Sequence, residues 1–363
     1  MYSMVVGFGS IGEQHYESLK EIVGAKNLFI FSRRKLNIDN CISNLNEINL
    51  SEFNYFVIAN EATLHFEWIK KLQNTNSKIL VEKPLFTKNI EKDQVINKDN
   101  IYVGYYLRLH PLIKKIKKLN LTEIEKVEFV NHSWLPDWRK DREYEETVSS
   151  KKELGGGVLN ELSHDLDLAK YIFDDYNFHD LNLSKNNELN LDVYDTFIGN
   201  AKNIKNNIKI DFSLSMGNKK IEKYINIYSK NDSYKADFIN NSLTSNKGVE
   251  ILNNEQSSKK FLLQRQHKII LNEEENFLSK FNEGQWIVKL INEIDEQNVF
   301  FNSGFNFNFI KQSFLGLGLK ILPNSTYKSN STDKNIAQYN SSYFSPMLQL
   351  GVSNITFNFG MSF

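Results

Sequence analysis

The 363-residue chain has a single cysteine and no excess of charge of either sign. Because Cys41 has no partner within the chain, an internal disulfide framework and a cysteine-rich metal site are excluded, and we expect no metal site. The 44 basic residues balance the 44 acidic ones, so the net charge does not favour nucleic acid or an anionic membrane as a partner. The sequence does not start with the basic segment and long apolar run that are typical of a secretory signal peptide. We therefore expect a cytoplasmic protein.

A glycine-rich turn lies near the start of the sequence, at Gly7 to Gly12. An apolar segment, Tyr2 to Val6, leads into the pattern Gly-x-Gly-x-x-Gly, and a helical pattern and a second apolar segment, Leu28 to Phe31, follow it. In this context glycines permit a tight turn and the close approach of a pyrophosphate, which the helix N-terminus stabilises. We therefore expect this turn to bind a dinucleotide. The alternative is a glycine turn that only allows the helix to pack against the strand. The predicted cofactor-binding residues are Gly7, Gly9, Ser10, Ile11 and Gly12.

The second strand ends in Ser32, Arg33 and Arg34. Sites for NAD usually place an acidic residue at this point, where it binds the ribose hydroxyls. Two arginines instead suit a 2′-phosphate, through charge-assisted and stacking contacts. We therefore predict NADP as the cofactor, with NAD as the alternative if the arginines are only solvated.

Further strand and helix patterns alternate along the first 110 residues, and this alternation predicts an α/β fold with a doubly wound parallel sheet. The strands are predicted at Phe53 to Ala59, Lys78 to Val81 and Ile101 to Gly104, with a helix at Glu61 to Leu72.

Glu82, Lys83 and Pro84 directly follow the apolar segment Lys78 to Val81. Open α/β sheets bind their ligands at the carboxyl ends of the strands. The position therefore places an amine that can handle protons beside the expected dinucleotide. The alternative interpretation is a surface lysine that happens to follow a strand.

Several motifs occur in a fixed order, and together they resemble those of the glucose–fructose oxidoreductase / inositol dehydrogenase family (Gfo/Idh/MocA) over residues 1–300. The resemblance implies an N-terminal Rossmann domain, then an α+β domain with a large, mostly antiparallel sheet. It also implies hydride transfer between a nicotinamide and a sugar, cyclitol or related hydroxyl. The motifs are the glycine loop with His15, Ala59-Asn60-Glu61 with His65, Glu82-Lys83-Pro84, Gly104 to Pro111, and Gly155-Gly156-Gly157 with His164 and Asp167.

The resemblance also implies roles for residues in the first domain. Lys83 matches the catalytic lysine, which hydrogen-bonds the reacting oxygen and assists proton movement. Pro84 is expected to be a cis proline that orients Lys83. Glu82 and Asn60 are expected near the nicotinamide ribose.

His164 matches the histidine of the second-domain motif, and the resemblance implies that it accepts or donates a proton. The family commonly carries an acidic residue four positions earlier, where this chain has Asn160. Glu161 follows it at i,i+3 spacing from His164, so it can lie alongside the imidazole. Either Glu161 takes the place of the missing acid, or His164 works with Lys83 alone.

The stretch from Trp134 to Tyr144 combines aromatic rings with charges, which suits a sugar or a phosphate. Family members with a similar stretch belong to glycan or nucleotide-sugar pathways. The alternative is an ordered loop that packs its tryptophans. The predicted substrate-contacting residues are Arg108, His110, Asp137, Trp138, Arg139 and Asn160.

The second domain, predicted over 111–300, alternates apolar and polar residues in several segments, as expected of an antiparallel sheet with one wet face. The family often associates through this face, so we expect a homo-oligomer. Strands are predicted at Val127 to Phe129, Val193 to Ile198, Ile208 to Leu214, Ile221 to Tyr228 and Tyr234 to Ile239, and helices at Ile269 to Phe281 and Gln285 to Ile294.

Residues 301–363 have a different composition, with one acidic residue, four lysines and nine phenylalanines. Apolar residues alternate at Phe305 to Phe309, Leu315 to Ile321 and Ile355 to Phe363, and these segments resemble the C-terminal strands of an outer-membrane β-barrel. This β-rich tail is interpreted as a fused remnant of another gene, as extra sheet strands, or as a membrane segment. Three or four strands cannot close a barrel.

These features predict an NAD(P)-dependent oxidoreductase acting on a sugar or nucleotide sugar, in surface-glycan synthesis. Two alternatives belong to other classes. One is a catalytically silent NAD(P)-binding protein, which the asparagine at position 160 favours. The other is a chimera that carries a membrane-barrel fragment.

Overall fold

The structure is a computed structural model that describes residues 2–91, 94–186, 188–272 and 277–302, together with four short strands nearer the C-terminus. Residues Met1–Asn302 form one compact unit and Ser303–Phe363 form another. In the second unit, Tyr343–Phe344 pairs with Met361–Ser362, and Met347–Gln349 pairs with Thr356–Asn358, both antiparallel. The strands predicted at 305–309 and 315–321 lie outside the described residues.

The first sheet of the larger unit has seven strands in the order β15-β6-β5-β4-β1-β2-β3. Six of them are parallel, as the sequence predicts, and β15 pairs antiparallel with β6 at one edge. Most of their apolar residues are buried, which explains the near-continuous apolar runs of the sequence. The strands are β1 (Tyr2–Val6), β2 (Leu28–Phe31), β3 (Cys41–Ile42), β4 (Phe53–Ile58), β5 (Lys78–Val81), β6 (Ile101–Val103) and β15 (Ser279–Lys280).

The carboxyl ends of β1, β4 and β5 lie side by side, because Val6 is paired with Ile58 and Ile58 with Val81. The three loops that follow them therefore meet at one edge of the sheet. The close approach requires glycine at position 7: its φ is +92°, and a Cβ there would lie 2.7 Å from the Cα of Asn60.

The second sheet has eight strands in the order β14-β13-β12-β11-β7-β10-β9-β8. Every pair is antiparallel except β7 with β10, so the prediction of a mostly antiparallel sheet is confirmed. The strands are β7 (Ile124–Trp134), β8 (Tyr176–Ser184), β9 (Thr196–Asn203), β10 (Lys209–Ser215), β11 (Gly217–Ser229), β12 (Ser233–Asp237), β13 (Ser242–Ser245) and β14 (Gly248–Ile251).

Eight helices accompany the two sheets in the described part of the chain. One face of the second sheet packs on α5 (Ser163–Phe173) and α8 (Phe281–Asn302) through aromatic contacts such as Phe129 with Phe173 and Tyr176 with Trp286. The opposite face leaves Ile198, Tyr228 and other apolar side chains exposed. The helices are α1 (Ser10–Val23), α2 (His65–Leu72), α3 (Pro111–Ile116), α4 (Val158–Glu161), α5 (Ser163–Phe173), α6 (Asn254–Ser257), α7 (Lys259–Asn272) and α8 (Phe281–Asn302).

Two segments differ from the sequence predictions. The prediction of a single helix from Ile269 to Phe281 is wrong, because α7 ends at Asn272 and α8 begins at Phe281. Strand β9 begins at Thr196 rather than Val193 and continues to Asn203, because it pairs along its whole length with β8 and β10. No helix among the described residues is both long enough and apolar enough to cross a membrane.

Candidate active site

A cleft of about 720 Å³ opens over the carboxyl edge of the first sheet. It brings together residues that are far apart in the sequence, from the glycine loop to the second-domain histidine. Of the residues predicted from sequence, the cleft is lined by Gly7, Gly9, Ser10, Ile11, Ser32, Arg33, Arg34, Asn60, Glu82, Lys83, Arg139, Asn160, Glu161 and His164.

The glycine loop and the start of α1 fit the pyrophosphate of a dinucleotide. Gly9 is the N-cap residue of α1 and provides no capping side chain, so the first amide groups of the helix have no side-chain acceptor. Gly12 is buried in the first turn, where a Cβ would lie 2.2 Å from the carbonyl oxygen of Gly7. A larger residue at position 12 would therefore push the helix away from the loop.

The two arginines after β2 are held at the rim of the cleft. Arg33 forms an ion pair with Glu61 at 2.5 Å, and its side chain is 73% exposed. The guanidinium of Arg34 donates a hydrogen bond to the carbonyl oxygen of Phe8, and its backbone N–H donates to the Ser32 hydroxyl at 3.1 Å. Arg34 is thus tied to the glycine loop, while Arg33 has an acidic partner from the loop after β4.

Lys83 extends from the end of β5 towards α4. The Lys83–Pro84 peptide bond is cis, as expected. Its Nζ atom donates a hydrogen bond to the carbonyl oxygen of Glu161 at 2.8 Å and lies 3.7 Å from that residue's carboxylate. The side chain is 17% exposed, so the amine is shielded from bulk water but open to the cleft.

His164 lies in the same cleft, near the start of α5. Its ring contacts the edges of Tyr105 and Tyr106, with centroid distances of 5.5 and 4.8 Å. Burial, together with the positive charges of Lys83, Lys223 and Lys259, holds the pKa of His164 well below its usual value. The imidazole is therefore neutral near pH 7 and can accept a proton.

Glu161 lies beside Lys83. The expected i,i+3 contact assumes one continuous helix, but α4 ends at Glu161 and Leu162 leaves the helical conformation before α5 begins. Glu161 consequently faces Lys83, and no hydrogen bond joins it to His164 among the described residues. Of the two alternatives drawn from the sequence, this geometry favours His164 acting with Lys83.

Beneath the cleft, four buried side chains form a continuous hydrogen-bonded relay. The Tyr55 hydroxyl is 2.8 Å from Nδ1 of His267, and Nε2 of His267 is 3.0 Å from Nδ1 of His15. Nε2 of His15 is 2.8 Å from Oε1 of Glu82. The second carboxylate oxygen of Glu82 accepts the backbone N–H of Lys83 at 3.2 Å. The relay therefore ends at the backbone of the proposed catalytic lysine.

The charge of Glu82 orders the protons of this relay. Burial alone would raise the pKa of Glu82, but the His15 hydrogen bond and the charges of His15, Lys83 and Lys259 outweigh it and lower the pKa. An ionised Glu82 can only accept, so Nε2 of His15 donates to it. In the arrangement in which each ring carries a single N–H, His267 donates to His15 and the Tyr55 hydroxyl donates to His267. Every hydrogen bond of that arrangement points towards Glu82.

Four predicted substrate residues do not line the cleft. Arg108 is buried and donates two hydrogen bonds to Asp167, at 2.6 and 2.8 Å, and one to Glu283 at 2.7 Å. His110 is buried as the N-cap of α3, where its Nδ1 accepts the N–H of Leu112. Arg108 and His110 thus have structural partners. Trp138 packs against the core, and Asp137 is exposed outside the cleft.

The buried His110 predicts part of the acid sensitivity of the fold. Burial, and secondarily the charge of Lys223, lower the pKa of His110 to about 4. Between about pH 6.5, the pKa of histidine in the unfolded chain, and about pH 4, His110 is protonated in the unfolded chain but not in the folded one. The free energy of unfolding therefore falls by about 3 kcal/mol as the pH is lowered through this range. His110→Asn keeps an N-cap acceptor but does not titrate. Urea unfolding at about pH 7 and about pH 5 should show a smaller loss for the variant than for the wild type; an equal loss would contradict this assignment.

Several residues around the cleft were not predicted from the sequence. Lys259, Tyr106, Glu61 and Arg142 line it, and Lys223 lies close enough to act on His164. Tyr106 lies in the motif from Gly104 to Pro111 and Glu61 in Ala59-Asn60-Glu61, so both could have been predicted as site residues from these motifs. Lys259 and Lys223 come from α7 and β11, and no local pattern in the sequence marks them.

The architecture matches solved structures, although no protein-family model and no curated protein matches the sequence. Levoglucosan dehydrogenase in complex with NADH is similar at a TM-score of 0.69 and 15% identity, over 82% of this chain and 97% of that one. UDP-N-acetylglucosamine 3-dehydrogenase from Acidithiobacillus ferrooxidans is similar at 0.64 and 16%, over 81% and 96%. The chain has the fold of these dehydrogenases. A super-repressor mutant of Gal80p from Saccharomyces cerevisiae is also similar, at 0.62 and 14%, over 82% and 96%.

Proposed function

We propose that this chain is an NAD(P)-dependent oxidoreductase that transfers a hydride between the nicotinamide and a hydroxyl or carbonyl group of a sugar or nucleotide sugar. The observation that carries the proposal is that Lys83 and His164 line the same cleft as the glycine loop. The similar structures support it, since one is a UDP-N-acetylglucosamine dehydrogenase and another is a levoglucosan dehydrogenase with bound NADH.

The side chains in the cleft suit this chemistry. Oxidation of an alcohol removes a proton from oxygen and a hydride from carbon, and a bound nicotinamide would accept the hydride. The neutral imidazole of His164 can take the proton. The amine of Lys83 can donate a hydrogen bond to the same oxygen and stabilise the negative charge that develops there. In the reduction direction the carbon takes the hydride and the oxygen takes one proton, which His164 must first acquire because its imidazole is neutral near pH 7.

Several finer parts of the proposal rest on the sequence motifs. We assign Gly7, Gly9, Ser10, Ile11 and Gly12 to the pyrophosphate, Asn60 and Glu82 to the nicotinamide ribose, and Arg139 and Asn160 to the substrate. We propose domains at 1–110 and 111–300, a cytoplasmic enzyme of surface-glycan synthesis, and homo-oligomers formed through the second sheet. The exposed Ile198 and Tyr228 on one face of that sheet favour such an interface.

Nicotinamide absorbance tests the proposed activity directly. The protein is mixed with NAD⁺ or NADP⁺ and a panel of sugars, sugar phosphates and nucleotide sugars, and with the reduced cofactors and the corresponding keto sugars. We expect turnover with at least one member of the panel. Tight cofactor binding without turnover on any member would contradict the proposal.

A catalytically silent NAD(P)-binding protein is the second candidate. Two observations favour it: Asn160 replaces the acidic residue that the family commonly carries, and the fold is shared with Gal80p, of which a super-repressor form was solved. The same absorbance experiment separates the candidates, because this alternative predicts cofactor binding alone.

The proposed preference for NADP predicts a specific effect at Arg34. Arg34→Gln should weaken NADPH binding about tenfold and leave NADH binding nearly unchanged, because only NADPH carries the 2′-phosphate that forms a charge-assisted hydrogen bond. Fluorescence titration measures both dissociation constants, and Lys35→Gln, at the exposed neighbouring position, is the control. Tighter binding of NADH than of NADPH by the wild type would remove the argument from Arg33 and Arg34.

A further inference from the structure

Positive charges surround His164, and this cluster is larger than the proposed hydride transfer requires. Lys83, Lys223 and Lys259 all act on the His164 imidazole through their charges. Arg139 belongs to the same group, because its charge, like those of Lys83 and Lys223, acts on Lys259. We call Arg139, Lys223 and Lys259 the cationic cluster.

Three separate elements supply the cationic cluster. Arg139 follows the short helical turn Leu135–Trp138 after β7, Lys223 lies on β11, and Lys259 begins α7. Lys223 is opposite Asn131 in the register of β11 and β7, and its amine lies 5.8 Å from the ring centroid of Phe238. Charges from three separate elements act on His164 or Lys259, unlike a run of solvated charges along one surface.

Two members of the cationic cluster line the cleft, and Lys223 acts on His164 through its charge without lining the cleft. The amine of Lys259 is 5.8 Å from the ring centroid of Tyr106, and that ring is in edge contact with His164 at 4.8 Å. Lys259 and Arg139 both line the cleft. A group bound by them would therefore belong to the molecule that reacts at His164, and not to a pyrophosphate bound at the glycine loop.

The acidic groups near the cationic cluster have other partners. Glu82 is bound to His15, Glu161 lies beside Lys83, and Asp165 accepts a hydrogen bond from Asn131 at 2.7 Å. In the described part of the chain, no carboxylate lies within 4.0 Å of the charged nitrogens of Arg139, Lys223 or Lys259.

Close cations without counter-charges repel one another. Desolvation of the amine, followed by the charges of Lys83, Arg139 and Lys223, lowers the pKa of Lys259, although Glu82 opposes this shift. An anion bound among these groups would relieve the repulsion and gain charge-assisted hydrogen bonds.

We propose that the sugar bound beside His164 carries an oxyanion, a carboxylate or a phosphate, that Lys259 and Arg139 bind it, and that the positive charge of Lys223 strengthens its binding. This inference rests on the proposed function and narrows its substrate class from sugars in general to anionic sugars. Neutral sugars would lack the group that these side chains recognise.

Equilibrium binding tests this inference without requiring turnover. The full chain, saturated with NADPH, is titrated by calorimetry with glucose, glucuronate, glucose 1-phosphate and UDP-N-acetylglucosamine. We expect at least one anionic ligand to bind ten or more times more tightly than glucose. The identity of that ligand distinguishes a carboxylate, a monophosphate and a diphosphate. Equal binding of glucose and all three anions, or binding of none of them, would overturn the proposal.

Charge-removing variants locate the bound anion. Lys259→Met and Lys223→Met should each weaken binding of the anionic ligand about tenfold and leave glucose unaffected. Lys260→Met is the matched control, because Lys260 follows directly in the chain but pairs with Glu21 on the surface. An equal loss in Lys260→Met, or no loss in either test variant, would overturn the assignment.

A separate readout keeps this result distinct from the proposed oxidoreductase activity. Nicotinamide absorbance is recorded with the same ligands and NADP⁺. Turnover of neutral sugars alone would overturn the anionic substrate and support the oxidoreductase. Tight binding of an anionic sugar without turnover on any substrate would support the cationic site and contradict the proposed function.

Discussion

Lys83→Met should reduce the turnover of the proposed substrate about a thousandfold, within the range that a positioned proton-transfer group contributes. Methionine keeps most of the side-chain volume but removes the amine that donates to the carbonyl oxygen of Glu161 at 2.8 Å. The reacting oxygen would then lose its hydrogen-bond donor in the cleft. Steady-state nicotinamide absorbance measures the effect on kcat.

The same variant should bind the cofactor normally, because the pyrophosphate and the 2′-phosphate are assigned to the glycine loop and to Arg34. Lys88→Met is a suitable control, since Lys88 follows five positions later and is exposed. It should retain full activity. If Lys83→Met keeps wild-type kcat, the role assigned to the lysine is wrong.

Breaking the buried relay should destabilise the fold in a graded way. His15→Leu should lower the free energy of unfolding by about 3 kcal/mol, because it leaves the buried charge of Glu82 without its donor. His267→Leu should cost less, since it leaves only a neutral imidazole nitrogen unpaired. Tyr55→Phe should cost about 1 kcal/mol, the value of one neutral hydrogen bond.

Urea unfolding of the full chain measures this series at one pH. The expected order of loss is His15, then His267, then Tyr55, because the hydrogen bond next to the charge is the strongest. The double variant Glu82→Gln, His15→Leu should be less destabilised than the sum of its two single variants, since no charge is then left buried. A reversed order, or full additivity in the double variant, would contradict the proton order assigned to the relay.

The local parts of the fold and site could be predicted from the sequence. The glycine loop, the apolar strands and Lys83 lie in short motifs whose structure depends on neighbouring residues, and the structure places them as predicted around one edge of the sheet. Parallel strands bring their carboxyl ends together wherever they pair. The meeting of Gly7, Asn60 and Lys83 therefore follows from the strand assignment alone.

The parts that could not be predicted depend on contacts between distant segments. His15 and His267 are 252 positions apart, and His267 is brought beneath the glycine loop only because α7 packs on α1. The motif around Arg108 predicted a substrate contact, but Arg108 is buried and donates a hydrogen bond to Glu283 of α8, which is 175 positions away in the sequence. The break at Leu162, which turns Glu161 towards Lys83, has no glycine or proline to mark it in the sequence.

Deuterium transfer tests the central claim most directly. The protein is incubated with NADPH that carries deuterium at the transferable position, together with a mixture of keto sugars, keto sugar phosphates and keto nucleotide sugars, and the products are analysed by mass spectrometry. We expect one sugar product that contains a single carbon-bound deuterium, and we expect this product to be absent when Lys83→Met replaces the wild type. Binding of NADPH with no deuterium in any sugar would show that the protein does not transfer a hydride to these sugars.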